Sequence, residues 1–177
     1  ESVLEDAYFS GPEDENELGN GGYHYNDAWS EVFSCSNPTI LKSVTFYAET
    51  NFSIEIELRN NNNDLLDSYT ANLTSGINVL EVNFSIPIAE GLSIGISGEN
   101  QGLWRNNEVT QYPISVGNNI IISESTAGED YFYYFYNWEV QEYCSSLLTP
   151  VEANIGSALP LTINISNNCP YDSLQLD

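Results

Sequence analysis

Phe52-Ser53-Ile54-Glu55-Ile56-Glu57-Leu58-Arg59 decides the fold class. Apolar residues fall at every second position, and every residue between them is polar or charged. A strand turns successive side chains to opposite faces, so this stretch lays Phe52, Ile54, Ile56 and Leu58 on a core and gives the rest to solvent. The tract that follows, Asn60-Asn61-Asn62-Asn63-Asp64, reads as a turn, because Asn and Asp tolerate the left-handed backbone that reverses a chain. Outward from here the same period recurs. Residues 43–50 point Val44, Phe46 and Ala48 one way, and residues 66–73 form the next strand, turned by Ser75-Gly76. Residues 78–86 alternate Leu80, Val82, Phe84 and Ile86 with polar neighbours until Pro87, which has no N–H for a ladder, ends or edges the strand. Residues 92–97 alternate Leu92, Ile94 and Ile96 with Ser93, Gly95 and Ser97. Shorter strands are expected at 102–105, 113–116 and 120–123.

The most aromatic run, 130–143, reads Asp-Tyr-Phe-Tyr-Tyr-Phe-Tyr-Asn-Trp-Glu-Val-Gln-Glu-Tyr. Read as one central strand, it has Phe132, Tyr134, Tyr136, Trp138 and Val140 on one face and Tyr131, Tyr133, Phe135, Asn137 and Glu139 on the other. About nine short strands with regular turn signals predict an all-β fold, a two-sheet antiparallel β-sandwich with a jelly-roll-like topology. Residues 1–143 are expected to be this module. Its first 31 residues form an acidic segment, with a strand or turn around 7–10 and then a long loop containing Gly19-Asn20-Gly21-Gly22. Residues 144–177, with Pro150, Gly156, Pro160 and Pro170, are read as a C-terminal extension or the start of a following immunoglobulin-like module.

Composition narrows the partners. Twenty-six acidic residues face 3 basic ones, Lys42, Arg59 and Arg105, for a formal charge of -23. Nucleic acid and anionic bilayers are recognised through clustered Lys and Arg, so neither is an expected partner. No apolar run approaches the roughly 18 residues of a membrane span, so no direct membrane insertion is expected. Residues 1–6 show neither a basic nor an apolar leader pattern, and a signal peptide, where one existed, is read as removed. The acidic composition, rich in Asn and Tyr, suits an extracellular or cell-surface setting. Cys144 and Cys169 flank the last segment and are favoured as a disulfide that leaves Cys35 free; Cys35–Cys144 is the rival pairing.

From Leu41 to Val140 the chain carries, in order, Ser43-Val44-Thr45-Phe46-Tyr47-Ala48, Ile56-Glu57-Leu58-Arg59, Val82-Asn83-Phe84-Ser85-Ile86-Pro87, Leu103-Trp104-Arg105-Asn106-Asn107, Tyr112-Pro113-Ile114 and Tyr133-Tyr134-Phe135-Tyr136-Asn137-Trp138-Glu139-Val140. This order resembles a β-sandwich module of large secreted or surface proteins of Bacteroidota, found beside immunoglobulin-like or PKD-like repeats. The resemblance implies secretion, commonly by the type IX route, and adhesin-like neighbours within the same polypeptide. It carries no catalytic residues. Trp104 stands where the family usually has Tyr, Cys35 is unusual for it, and residues 1–31 lie outside it.

Three constellations could carry function. Trp104-Arg105-Asn106-Asn107 with Tyr112 has the chemistry of a glycan site: flat rings that stack on sugar C–H faces, and planar guanidinium and amides that pair with hydroxyls. The bland alternative makes Trp104 core and gives Arg105 a carboxylate partner. A second surface comprises Tyr131, Tyr133 and Asn137 with the loop residues Tyr23, Tyr25 and Trp29, unless the strand tyrosines pack inside. The third is structural Ca²⁺, which takes six to eight oxygens, with Asp6, Asp27 and Glu129 as candidate ligands; a solvated acidic loop is the alternative. His24 is the only histidine, so any His-dependent triad must use it, and its Gly-Gly-Tyr-His-Tyr setting resembles no nucleophile motif. The expectation is a non-catalytic module for adhesion or carbohydrate binding. A structural spacer is the first alternative and a small hydrolase the second.

Overall fold

The structure, a computed structural model, describes residues 2–145. In chain order its strands are β1 (Ser2–Leu4), β2 (Tyr8–Ser10), β3 (Gly21–His24), β4 (Ser30–Cys35), β5 (Thr39–Ala48), β6 (Phe52–Arg59), β7 (Leu65–Leu73) and β8 (Gly76–Leu80). There follow β9 (Phe84–Ile86), β10 (Ala89–Ser97), β11 (Leu103–Asn106), β12 (Ile114–Val116), β13 (Ile120–Ser125), β14 (Phe132–Tyr133) and β15 (Tyr136–Ser145). One sheet runs β1-β15-β5-β11-β14, with β2 on β15, β3 on β11, and β8 and β9 on β5; the other runs β12-β13-β4-β10-β6-β7. The two antiparallel sheets pack against each other, the β-sandwich that the alternation predicts.

The expected inward residues are the buried ones: Val44, Phe46 and Ala48 on β5, Ile54, Ile56 and Leu58 on β6, and Leu92 and Ile94 on β10. Each such Val, Ile, Leu or Phe side chain withdrawn from water stabilises the fold by about 1.5–3 kcal/mol before entropy is counted. Phe33 of β4 meets Trp138 of β15 edge to face at 5.8 Å, tying one sheet to the other. The predicted Asn turn forms as expected. Asn63 is left-handed, and the Asn60 side-chain oxygen accepts from the backbone N–H of Asn62 and of Asp64.

Three expectations change. Residues 78–86 are two strands, because Asn83 is left-handed (φ 52°) and donates its N–H to the Lys42 carbonyl; β8 and β9 then pair with successive parts of β5. The aromatic run is also broken. Tyr134 (φ 74°) is left-handed between β14 and β15, and Asn137 (φ 45°) is left-handed inside β15, where the register against β5 shifts, so the simple two-face assignment fails. Finally, the N-terminal segment is more than a loop. Its β1 and β2 pair with β15, and β3 forms an edge of the first sheet. β15 runs through the expected boundary at 143 to Ser145. Cys35 is a free, buried thiol, whereas Cys169, and with it the expected Cys144–Cys169 pairing, lies outside the described residues.

Candidate functional site

The Trp-Arg-Asn-Asn motif lies on β11 and just beyond it, with β3 on one side and β14 on the other. Opposite residues in antiparallel strands share a face. Trp104 sits opposite Tyr23, and Asn106 opposite Gly21 and Phe132; Arg105 sits opposite Gly22 and Tyr133, and Leu103 opposite His24. The strand therefore divides the motif. Trp104 and Asn106 go to the outer face, Arg105 to the inner one, and Asn107 stays exposed beyond the strand end.

On the outer face Trp104 meets Tyr23 edge to face at 5.3 Å. A Cβ on Gly21 would run into the Arg105 carbonyl oxygen and come within 2.7 Å of the Trp104 indole nitrogen. The strand can lie this close to β11 only because residue 21 has no side chain. Gly21→Ala is therefore expected to force β3 off β11 and to lower stability by about 1–3 kcal/mol in denaturant unfolding.

Asn106 is completely buried, and its Nδ2 donates to the carbonyls of Glu15 and Gly19, both at 2.9 Å. Its Oδ1 accepts the Tyr136 hydroxyl at 2.7 Å. This amide pins the acidic segment over the outer face, where Leu18 is also buried. Tyr112 lies elsewhere, and its hydroxyl lies 2.6 Å from Glu31 Oε2 and 2.8 Å from the Tyr131 carbonyl oxygen. Thus two expected ligand-binding residues, Asn106 and Tyr112, make their hydrogen bonds inside the fold. The five motif residues do not converge on one site.

What does converge is a group on the inner face, where β3 ends and β4 begins. The Arg105 guanidinium lies over the Tyr131 ring, 4.9 Å from its centroid, and 6.0 Å from that of Tyr133. The His24 ring meets the same Tyr133 at 5.5 Å, and Trp29 approaches it at 6.5 Å. Among the described residues no carboxylate comes within 4.0 Å of Arg105, the expected bland role for this cation; the ion pair there is Arg59 with Glu57, at 2.8 Å. Arg105 Nε and Nη1 and His24 Nε2 are buried without a hydrogen-bond partner. Burial, and then the Arg105 charge, hold the His24 pKa below its ordinary value, so its ring is neutral near pH 7. Cation–π contact stabilises a guanidinium by about 0.5–2 kcal/mol, but it leaves the N–H donors unsatisfied.

Tyr133 is buried at 2% exposure, Tyr131 is half-buried and Asn137 gives its N–H to the Pro12 carbonyl. These three make no exposed row. Tyr23 and Tyr25 are exposed, and Trp29 is half-buried. Asp6, Asp27 and Glu129 are exposed on three separate connections. Among the described residues no three His, Cys, Asp or Glu side chains gather as metal ligands.

One buried acid escaped the sequence reading. Glu31 on β4 is fully enclosed between the sheets. Its Oε1 accepts the Tyr133 N–H at 2.6 Å, and burial raises its pKa to about 8. Its position in phase with Phe33 and Cys35 was the available signal. Compared with protein-family models, curated proteins and solved structures, the chain matches none.

Proposed function

We propose that this chain is a non-catalytic, extracellular β-sandwich module of a bacterial surface or secreted protein, and that it binds carbohydrate. The reading is supported by the inner-face group, in which Arg105 lies against the Tyr131 and Tyr133 rings, His24 and Trp29 meet the same Tyr133, and Arg105 Nε and Nη1 and His24 Nε2 are buried without a partner. Aromatic faces and unspent planar donors are what sugar rings and hydroxyls require. Tyr25, 62% exposed, adds a ring beside this end of the sandwich, its hydroxyl donating to Glu49. The acidic charge supports the same choice by disfavouring nucleic acid and anionic membrane.

A glycan array tests the proposal, followed by titration of any hit with Trp29→Ala and Tyr25→Ala. Each variant is expected to weaken binding about tenfold, equivalent to about 1.4 kcal/mol. Tyr25→Ala should leave Tm nearly unchanged, because surface substitutions cost within about 0.5 kcal/mol. A silent array would favour the structural spacer.

A further inference from the structure

Resting on the carbohydrate reading above, we infer that the sugar is acidic: Arg105 is a receptor for the carboxylate of a uronate-type saccharide. A guanidinium presents two bidentate edges, Nε with Nη2 and Nη1 with Nη2. In Arg105 both Nε and Nη1 are buried and unpartnered, while Nη2 is not among the buried unpartnered atoms and the side chain is half-buried. Either edge thus joins Nη2 to a nitrogen whose hydrogen-bonding capacity is unused but which the protein itself covers. A carboxylate can approach at Nη2, and it gains a second donor only when the protein atoms covering Nε or Nη1 move aside.

The surroundings favour that ligand over a hydroxyl. Of the chain's other cations, Arg59 is engaged by Glu57 and by the Asn63 carbonyl. Arg105 has no carboxylate beside it among the described residues, although the chain carries 26 acids. A partly desolvated guanidinium without a counter-ion is unfavourable, and a bound carboxylate removes that penalty. The Tyr131 and Tyr133 rings hold the guanidinium in place, reducing what must be ordered on binding. His24 Nε2, neutral and unpartnered against the same Tyr133, is a second contact for a ring hydroxyl or the carboxylate. Repulsion from the distant acids does not forbid this, because exposed charges are screened beyond about 8 Å at physiological ionic strength.

The probes are an oligogalacturonate and its methyl ester, which keeps the rings and linkages but loses the charge. Calorimetric titration should show the free acid binding at least about tenfold more tightly than the ester, the value of one charge-assisted contact. Arg105→Gln should lose that preference. Arg105→Lys, which keeps charge and stem without the planar fork, should fall between the two. Thermal melts accompany both variants, so if Arg105→Gln fails to fold, the Lys variant and the acid–ester comparison still decide. Equal binding of acid and ester would overturn the inference and leave the carbohydrate reading standing. So would acid binding unaltered in a well-folded Arg105→Gln, or preference for a short peptide bearing a free C-terminal carboxylate. Failure of every glycan, neutral and acidic, would remove both readings together.

Discussion

Glu31→Gln is expected to flatten the pH dependence of stability. Wild type and variant should be of similar stability near pH 5, and the variant should be the more stable at pH 8. Glu31 is enclosed, and its folded-state pKa of about 8 lies above the ordinary 4.5, chiefly through loss of hydration. A carboxyl with a raised folded pKa binds its proton more tightly in the native state. Its stabilising contribution is thus complete below about 4.5 and lost as pH rises through 8. Across that window stability falls by about 1.4 kcal/mol per pH unit, or about 3–5 kcal/mol in all.

The geometry explains why the neutral form fits. Tyr112 has one hydroxyl proton and two acceptors in reach, Glu31 Oε2 and the Tyr131 carbonyl. A protonated Glu31 donates to the Tyr112 oxygen, and Tyr112 then donates to Tyr131, so every group is satisfied. A carboxylate takes the tyrosine proton for itself and strips that carbonyl of its donor. Gln reproduces the neutral pattern at all pH values, with its amide donating to Tyr112 and its carbonyl accepting the Tyr133 N–H. The groups facing this acid are Tyr112, Tyr133 and Tyr136, with Glu124 near Tyr112. Urea unfolding of both proteins at pH 5, 6, 7 and 8 (chosen conditions) measures the difference, because the other carboxyls are common to both. Parallel curves would show that Glu31 ionises normally.

Asn106→Ala is expected to cost about 3–5 kcal/mol, whereas Asn107→Ala changes stability by no more than about 0.5 kcal/mol. Neighbouring and chemically identical, the two residues differ only in what they meet. Removing the Asn106 amide leaves the Tyr136 hydroxyl and the Glu15 and Gly19 carbonyls without their partner inside the protein. Asn106→Asp should be nearly as damaging despite its shape, because a carboxylate cannot donate to those carbonyls. Asn107 is exposed, and its contact runs through its backbone N–H to the Asn20 carbonyl, which Ala preserves. Thermal melts give the stability change. Limited proteolysis between residues 12 and 20 reports whether the acidic segment has come free. A protected segment in Asn106→Ala would mean that Leu18 alone suffices to hold it.

These two residues also show where sequence reading stops. Strands such as β6 and β10 were legible because one buried face imposes strict alternation, and a one-residue slip would turn every apolar side chain to water. The alternation also extended through Glu31, but an acid in a core phase is readily taken for a surface residue. The aromatic run misled for a different reason. Its period is intact in the sequence, yet two left-handed residues interrupt it, and for Tyr134 side-chain chemistry offers no warning. Gly21-Gly22 read as loop, since the need for bare backbone against Trp104 appears only once β11 is beside it. The motif at 104–107 was visible as a cluster of chemistry. Its division between two faces follows from strand pairing, which adjacency in sequence conceals.

The pairing of the first strands with the last has a mechanical consequence. Ser2 lies opposite Ser145 and Leu4 opposite Tyr143, and the ladder continues from Tyr8 opposite Val140 to Ser10 opposite Trp138. A pull applied between residues 2 and 145 therefore enters and leaves at the same end of one antiparallel ladder. Its hydrogen bonds open one after another, as a zipper does, instead of sharing the strain in shear. Tension would peel the N-terminal ribbon from β15 at low force, first freeing Tyr8 from the core and the Ser10 hydroxyl from the Gly117 N–H, and then the Pro12 carbonyl from the Asn137 N–H. Just beyond, Asn106 and Leu18 fasten the acidic segment, so stretching would uncover the outer face before it disturbed the aromatic group around Arg105.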